Sequence, residues 1–253
     1  MPPRAGIISA LLAKEGFTAA EDALEGPFGF CHAFSGGSGY ELEKILADWG
    51  NPYQVVYPGP GIKLYPCCGS SQAAIDAMFS LLQKHAIHPE KVSAIEVMVP
   101  FEPLHSLIHY NPMTGLEGKF SMQYCLAAAL VDRKIGLKTF NTEQVQRPEV
   151  KRLFNKIRMF RQPGMEGHHS WETADYVVTV KMVGGETYSQ KGVSPHAAIR
   201  RQVTREELVA KYRDCASLVL SPRDVEASLE LLENLEELPD ITSLNEIIIK
   251  AKD

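Results

Sequence analysis

The stretch KLYPCCGSSQAAIDAMFSLLQKHAIHPEKVSAIEVMVP, which runs from Lys63 to Pro100, decides the fold class of this chain. Its first half predicts a helix over residues 71–85, because apolar side chains recur there three or four positions apart. Its second half, residues 92–99, is rich in β-branched side chains and stops at Pro100, which is typical of a strand. The apolar stripe of the helix is formed by Ile75, Met78, Phe79 and Leu82.

The sequence on the C-terminal side of this stretch continues to mix helical and strand patterns. Residues 121–131 form an apolar helical pattern with almost no polar face, which predicts a buried helix. Residues 150–157 indicate a short helix. Residues 176–183 and 187–190 flank Gly184–Gly185, a signal for a hairpin. Because hairpin strands run antiparallel, we predict an α+β fold with an antiparallel sheet.

Helical patterns lie on both sides of this mixed unit. Residues 5–50 have a helical period, and a stretch rich in glycine and proline follows them. Further helices are predicted at about 205–216, 222–235 and 241–250, the first opening with a capping box of Thr204 and Glu207. We therefore expect a partial helical domain (1–58), an α+β lid domain inserted into it (59–194) and helices that return to the helical domain (195–253).

Composition and charge exclude several classes of protein. The 253 residues are 45% hydrophobic and 23% charged, so the chain is neither disordered nor fibrous. A net charge of −5 gives no general attraction for polyanions, and nucleic acid is not an expected partner. The apolar runs are too short to span a bilayer, so no membrane is expected. Five scattered cysteines favour reduced thiols in a cytoplasmic compartment.

Two segments are distinctive in combination. Residues 63–77 carry K-x-Y-P-C-C ahead of an I-D-A helix, and residues 114–124 contain K-F-S and run into an alanine-rich helix. The opening residues 6–26 and the helix at 204–212 fit the same pattern. On these residues the chain resembles the MmgE/PrpD family over almost all of its length. The resemblance implies a large all-helical domain with an inserted α+β lid.

The resemblance also has consequences for completeness and partners. Family chains are nearly twice as long as this one, and the likeness begins inside the helical domain. We therefore expect a fragment, a truncated product or half of a split protein, which lacks the N-terminal half of the site. The implied partners are a second copy, in a homodimer, or a separate N-terminal half.

The activity implied by the resemblance is that of a lyase acting on a small di- or tricarboxylic acid. The family reactions remove or deliver a proton at a carbon next to a carboxylate. We expect a hydro-lyase similar to 2-methylcitrate dehydratase. An isomerase or epimerase, a decarboxylase, and a non-catalytic remnant or partner subunit remain alternatives. Lysines and backbone N–H groups can hold such an anion, so neither a metal nor a cofactor is expected.

The candidate catalytic residues are Lys63 and His105. Lys63 matches the active-site lysine of the family by motif, and its ammonium group could clamp a carboxylate or donate a proton. His105 lies between the predicted strand and the K-F-S segment, where a histidine could act as an acid or base. A tyrosine found near this region in the decarboxylase is not clearly matched, which argues against decarboxylation in particular.

Six further residues are candidate substrate-binding groups. Three of them open the predicted helix at 71–85, whose free N–H groups favour an anion. The glutamine among them could donate a hydrogen bond but could not shuttle protons. The remaining three belong to the K-F-S segment or to the loop before it, and the serine of that motif could equally cap the helix that follows. These residues are Ser70, Ser71, Gln72, His109, Lys119 and Ser121.

Overall fold

The computed structural model describes residues 2–37, 39–47, 49–53, 55–57, 59, 61–99, 106–161, 163, 176–192 and 203–250. The chain divides into two compact units. The N-terminal unit is Met1–Gly59 and the C-terminal unit is Pro60–Asp253.

The N-terminal unit contains three helices, α1 (Pro2–Lys14), α2 (Phe30–Ser35) and α3 (Leu42–Ala47). Gly16 follows α1 with a φ of 87°, in the left-handed region that glycine adopts without a steric penalty. None of the large apolar side chains described in this unit is buried, and Phe28 is 98% exposed. On α1 the exposed apolar side chains are Ile7, Ile8, Leu11 and Leu12. The described part of this unit therefore has no hydrophobic core of its own.

The C-terminal unit is built on a four-stranded sheet of order β2-β1-β3-β4. The strands are β1 (Val92–Val99), β2 (Ile157–Arg161), β3 (Tyr176–Met182) and β4 (Thr187–Gly192). Strand β3 pairs antiparallel with both β1 and β4, whereas β2 pairs parallel with β1. A parallel pair needs a long crossover, and the 57 residues between Val99 and Ile157 supply it.

The sheet has one buried and one more exposed face. In β1, Ile95 is buried and pairs with Ile157 of β2 and Val180 of β3, both of which are also buried. On the opposite face, Glu96 and Lys181 form an ion pair of 2.5 Å. This alternation follows from the period of two along a strand.

Two helices pack against each other and against this sheet. Helix α4 (Gly69–Lys84) contacts β3 and β4, and α6 (Met122–Asp132) contacts α4 and β2. All residues of α6 from Met122 to Leu130 are buried. A helix with apolar side chains on all sides must be covered by other elements on all sides. Helix α6 is therefore the centre of the core.

Short elements connect these layers. They are α5 (Gly115–Lys119), α7 (Thr142–Val145) and α8 (Pro148–Lys151), with 3-10 turns at Pro89–Lys91, Leu137–Phe140, Phe154–Lys156 and Leu235–Glu237. The chain ends in α9 (Arg205–Ala216), α10 (Pro222–Glu233) and α11 (Thr242–Lys250). The capping box predicted for α9 is present, with the Thr204 hydroxyl accepting from the Glu207 N–H at 3.2 Å and the Glu207 carboxylate accepting from the Thr204 N–H at 3.0 Å.

The α+β class, the strand at 92–99, the hairpin and the buried helix after Ser121 are confirmed. Two predictions about the sheet were wrong. Ile157 begins strand β2 rather than ending a helix, and β2 joins the sheet in parallel. The alternation of this edge strand is broken, because Phe160 is exposed and Arg161 takes a half-buried position, so the strand was not evident from its own residues. The assignment of 1–58, 59–194 and 195–253 to an inserted-lid arrangement stays a prediction.

No helix in the described ranges combines the length and apolar content needed to cross a membrane.

The first prediction concerns the contact between β4 and α4. A Cβ atom at Gly192 would lie 2.2 Å from the carbonyl oxygen of Ala73, and a backbone atom cannot easily move aside. We expect Gly192→Ala to lower the free energy of unfolding by about 1–3 kcal/mol. Gly69→Ala is the control, since its nearest neighbour would be 3.9 Å away. Thermal unfolding of both variants is the measurement, and equal melting temperatures would contradict the packing described here.

The second prediction concerns alkaline stability. Burial raises the pKa of Tyr124 and of Tyr176 well above the ordinary value, because a phenolate is poorly solvated there. The unfolded chain ionises both tyrosines near pH 10, so this contribution to stability is intact below about pH 10 and is lost as the pH rises further. The urea concentration at the midpoint of unfolding should fall less steeply between about pH 8 and 11 in the double variant Tyr124→Phe/Tyr176→Phe than in the wild type. The exposed Tyr110→Phe should behave like wild type.

Candidate functional site

The two segments that carried the family resemblance meet in the C-terminal unit. The backbone N–H of Cys68, at the start of α4, donates to the carbonyl oxygen of Lys119, at the end of α5, over 2.9 Å. The thiol of Cys125, one turn into α6, donates to the carbonyl oxygen of Gly118 in α5 over 3.6 Å. Stretches about fifty residues apart are thereby joined at the N-terminal ends of α4 and α6.

A cavity of about 660 Å³ lies beside this junction. Its wall is formed by the loop before α4, by the end of α5, by the segment after α6 and by one face of α9. The lining residues that carry chemistry are Lys63, Cys67, Lys119, Lys134, Glu207, Lys211, Asp214 and Cys215. The volume is in the range of small-molecule sites in proteins.

The cavity is cationic although the chain as a whole is acidic. Four lysines and two carboxylates line it. The neighbouring Cys125 side chain lowers the pKa of the Cys67 thiol most, burial opposes this, and the charges of Lys63 and Lys119 lower it further. Lys63 and Lys119, the two lysines proposed from the sequence, therefore line the same cavity. The Lys211 ammonium group donates to the carbonyl oxygen of Lys63 and links α9 to the loop.

Gln72 supports the cavity wall through hydrogen bonds to the backbone of Tyr65, which lines the cavity. Its side-chain oxygen accepts from the Tyr65 N–H at 3.1 Å, and its amide nitrogen donates to the Tyr65 carbonyl oxygen at 2.9 Å. The Tyr65 hydroxyl donates to Asp76 at 2.6 Å. The loop that carries Lys63 is thus held against α4 by a reciprocal amide pair. Gln72 is buried and does not line the cavity.

The three predicted serines are buried in helix starts. Ser71 donates to the Cys68 carbonyl oxygen at 2.8 Å, and Ser70 lies 3.3 Å from the hydroxyl of Ser106. Ser121 is the N-cap of α6, with its hydroxyl accepting from the Tyr124 N–H at 3.1 Å. The structure positions these side chains within the protein, and none of them lines the cavity.

The two predicted histidines are not found in the cavity wall. His109 donates its backbone N–H to the Phe120 carbonyl oxygen at 3.4 Å, and it is not among the lining residues. His105 lies outside the described residues. None of the described residues that line the cavity is a histidine.

Sequence reasoning missed the contribution of α9. Glu207, Lys211 and Asp214 all line the cavity, and their spacing of four and three places them on one face of a helix. Asp214 also accepts from the Leu137 N–H at 3.2 Å, which ties α9 to the segment after α6. The helical period could have indicated this charged face, but not which surface it meets.

The described part of the chain contains no group of three or more histidine, cysteine, aspartate or glutamate side chains arranged to hold a metal ion.

The sequence of the chain matches a known protein family. The family profile of the MmgE/PrpD C-terminal domain matches residues 65–237, and the chain belongs to this family. The matched range contains both the K-F-S segment and α9, and it begins two residues after Lys63.

Curated relatives are cis-aconitate decarboxylases. The human protein is 26% identical over 252 residues, covering 96% of this chain and 50% of its own length. The protein of Aspergillus terreus strain NIH 2624 is 25% identical over 260 residues, covering 97% of this chain and 52% of its own. The mouse protein is 25% identical over 193 residues, covering 74% and 38%. The chain spans about half the length of the curated relatives it matches, or less.

The third prediction tests the role of Gln72. Gln72→Leu leaves the N–H and carbonyl groups of Tyr65 without their side-chain partner, and we expect about 1–3 kcal/mol of destabilisation in urea unfolding. Gln83→Leu is the matched control, because Gln83 is an exposed glutamine on the same helix. An equal loss in both variants would show that the amide pair contributes nothing specific.

Proposed function

We propose that this chain carries part of the acid-binding site of a lyase acting on a small di- or tricarboxylic acid. The observation that carries the proposal is the cationic cavity beside the α4–α6 junction, in a chain that belongs to the MmgE/PrpD family. Decarboxylation of cis-aconitate is the first reaction to test, because the relatives are cis-aconitate decarboxylases. Dehydration of 2-methylcitrate is the second reaction to test, and epimerisation is the third.

The binding part of this proposal rests on charge. A tricarboxylate brings up to three negative charges, and the cavity offers four ammonium groups against two carboxylates. The positive end of the α4 dipole adds to the same field, since Cys67 and Cys68 line the cavity directly before the helix. Lys63 and Lys119 approach the cavity from different segments, so they can hold two carboxylates of one acid.

The catalytic part needs a base and an acid as well as cations. A carboxylate can leave as carbon dioxide only when the electron pair left on carbon is stabilised and then protonated. A lysine ammonium group can stabilise that charge and can deliver the proton. The Asp214 and Glu207 carboxylates of α9 each accept a backbone N–H group. His105 stays the candidate base, with no contact assigned to it.

The fourth prediction tests Lys63 as the acid-binding cation. We expect Lys63→Met to lower kcat/KM on cis-aconitate or 2-methylcitrate by about 10²-fold, because a charge-stabilising donor is lost. Tricarballylate, a tricarboxylate that cannot react in the same way, should bind more weakly to this variant in calorimetry. Lys91→Met is the control, since Lys91 is exposed and lies outside the cavity wall.

Calorimetry keeps the test informative when the chain alone is inactive. Unchanged tricarballylate affinity in Lys63→Met would overturn the assignment of Lys63. Carbon dioxide release from cis-aconitate separates decarboxylation from dehydration, which releases only water.

A second candidate function is that of a partner subunit without activity of its own. The exposed apolar side chains of the N-terminal unit favour it, because a surface of that kind is normally covered in solution. We propose that a homodimer or a complex with a separate N-terminal half covers them, in a cytoplasmic compartment. Activity that appears only when an N-terminal half-chain of the family is added would support a split enzyme, and inactivity under every condition would leave the subunit role.

A further inference from the structure

Helix α9 brings into the cavity a lysine that the sequence did not single out. Lys211 lies in the middle of this helix, is partly buried and lines the cavity together with Lys63 and Lys119. Its ammonium group donates to the carbonyl oxygen of Lys63. A lysine ammonium group has three N–H donors, so two remain for a ligand. Lys211 is therefore held at the cavity wall and still has donors to offer.

The charge of Lys211 is not neutralised within the part of the chain that the structure describes. No described aspartate or glutamate forms an ion pair with it, whereas both arginines of α9 are paired with carboxylates of α10. Arg205 pairs with Glu233, and Arg213 pairs with Glu226 at 2.6 Å. A partly buried ammonium group without a counter-ion favours an anionic ligand, because burial of a charge is compensated only by pairing.

The two carboxylates on the same face of α9 are engaged with backbone groups. Glu207 accepts the N–H of Thr204 at 3.0 Å, and Asp214 accepts the N–H of Leu137 at 3.2 Å. The second bond anchors α9 to the segment after α6, while Lys211 itself contacts the loop before α4. The position of the Lys211 ammonium group is therefore fixed before a ligand arrives, which reduces the entropy cost of binding.

Lys134, the fourth lysine of the cavity, is placed differently. It is exposed, and no hydrogen bond or ion pair with a described residue fixes its side chain. Three carboxylates of one acid need three cations that approach from different directions. Lys63, Lys119 and Lys211 meet this need, because they belong to the loop before α4, to α5 and to α9.

We propose that Lys211 binds the third carboxylate of the acid and makes the cavity selective for tricarboxylic over dicarboxylic acids. This inference rests on the proposed function, in which Lys63 and Lys119 hold two carboxylates of one acid. A dicarboxylate pairs with those two lysines and leaves the Lys211 charge without a partner. A tricarboxylate pairs with all three, so its additional affinity comes through Lys211.

The test compares two unreactive acids by isothermal titration calorimetry on the full chain. Tricarballylate has three carboxylates, and glutarate has the same carbon chain without the middle one. We expect the wild type to bind tricarballylate at least about tenfold more tightly than glutarate, because a charge-assisted hydrogen bond is added. In Lys211→Met, the tricarballylate affinity should fall about tenfold and the glutarate affinity by less than about twofold.

Two further variants separate the charge of Lys211 from its bond to the loop. Lys211→Gln keeps an N–H donor for the carbonyl oxygen of Lys63 but carries no charge, so it should lose selectivity as Lys211→Met does. Lys211→Arg keeps the charge and should retain most of the selectivity. Arg213→Met is the matched control, because it removes one positive charge from the same helix outside the cavity wall. It should bind both acids as the wild type does.

The possible outcomes distinguish this inference from the proposed function. An equal loss of affinity for both acids in Lys211→Met would overturn the inference, since Lys211 would then only hold the loop of Lys63 in place. Unchanged tricarballylate affinity in that variant would overturn it too and leave the proposed function intact. A wild-type chain that binds the two acids equally would refute the selectivity without any variant. A wild-type chain that binds neither acid would overturn the proposed function and this inference together.

Discussion

The hydrogen bond from the Cys68 N–H to the Lys119 carbonyl oxygen is the contact on which the site depends. It joins the loop before α4 to the turn before α6 at the point where both helices begin. Lys63 and Lys119 come to one cavity because these two turns are held together. The contact can form because α4 and α6 pack side by side on the sheet.

The positive charge that lines the cavity is not reflected in the net charge of the chain. The chain carries a net charge of −5, yet four lysines converge on one cavity. Three segments that are remote in sequence supply these lysines together with α9, so the positive charge of the cavity does not show as one basic stretch of the sequence. Net charge predicts no general attraction for polyanions over the whole surface, and it carries no information about a site for a small anion.

Local signals predicted much of the fold. The stripe on α4, the alternation of β1 and the Gly184–Gly185 turn each depend on neighbours in sequence, and all three elements formed as predicted. The prediction missed strand β2, because its place in the sheet is decided by pairing with β1 and not by its own residues. Of the site, the motif lysines Lys63 and Lys119 could be named in advance, but the α9 face that completes the wall could not.

The sequence by itself determined which segments are helical or extended, which helix is apolar enough to be the centre of the core, and the family to which the chain belongs. Only the tertiary structure decided that Gln72 and Ser71 support the cavity from behind, while Lys211 and Asp214 line it. The physical reason is that helical and strand periods are local properties of the chain. Which side chain faces a cavity depends on how remote elements pack. In this fold the Ser71 hydroxyl and the Gln72 amide donate to backbone carbonyl oxygens instead of facing the cavity.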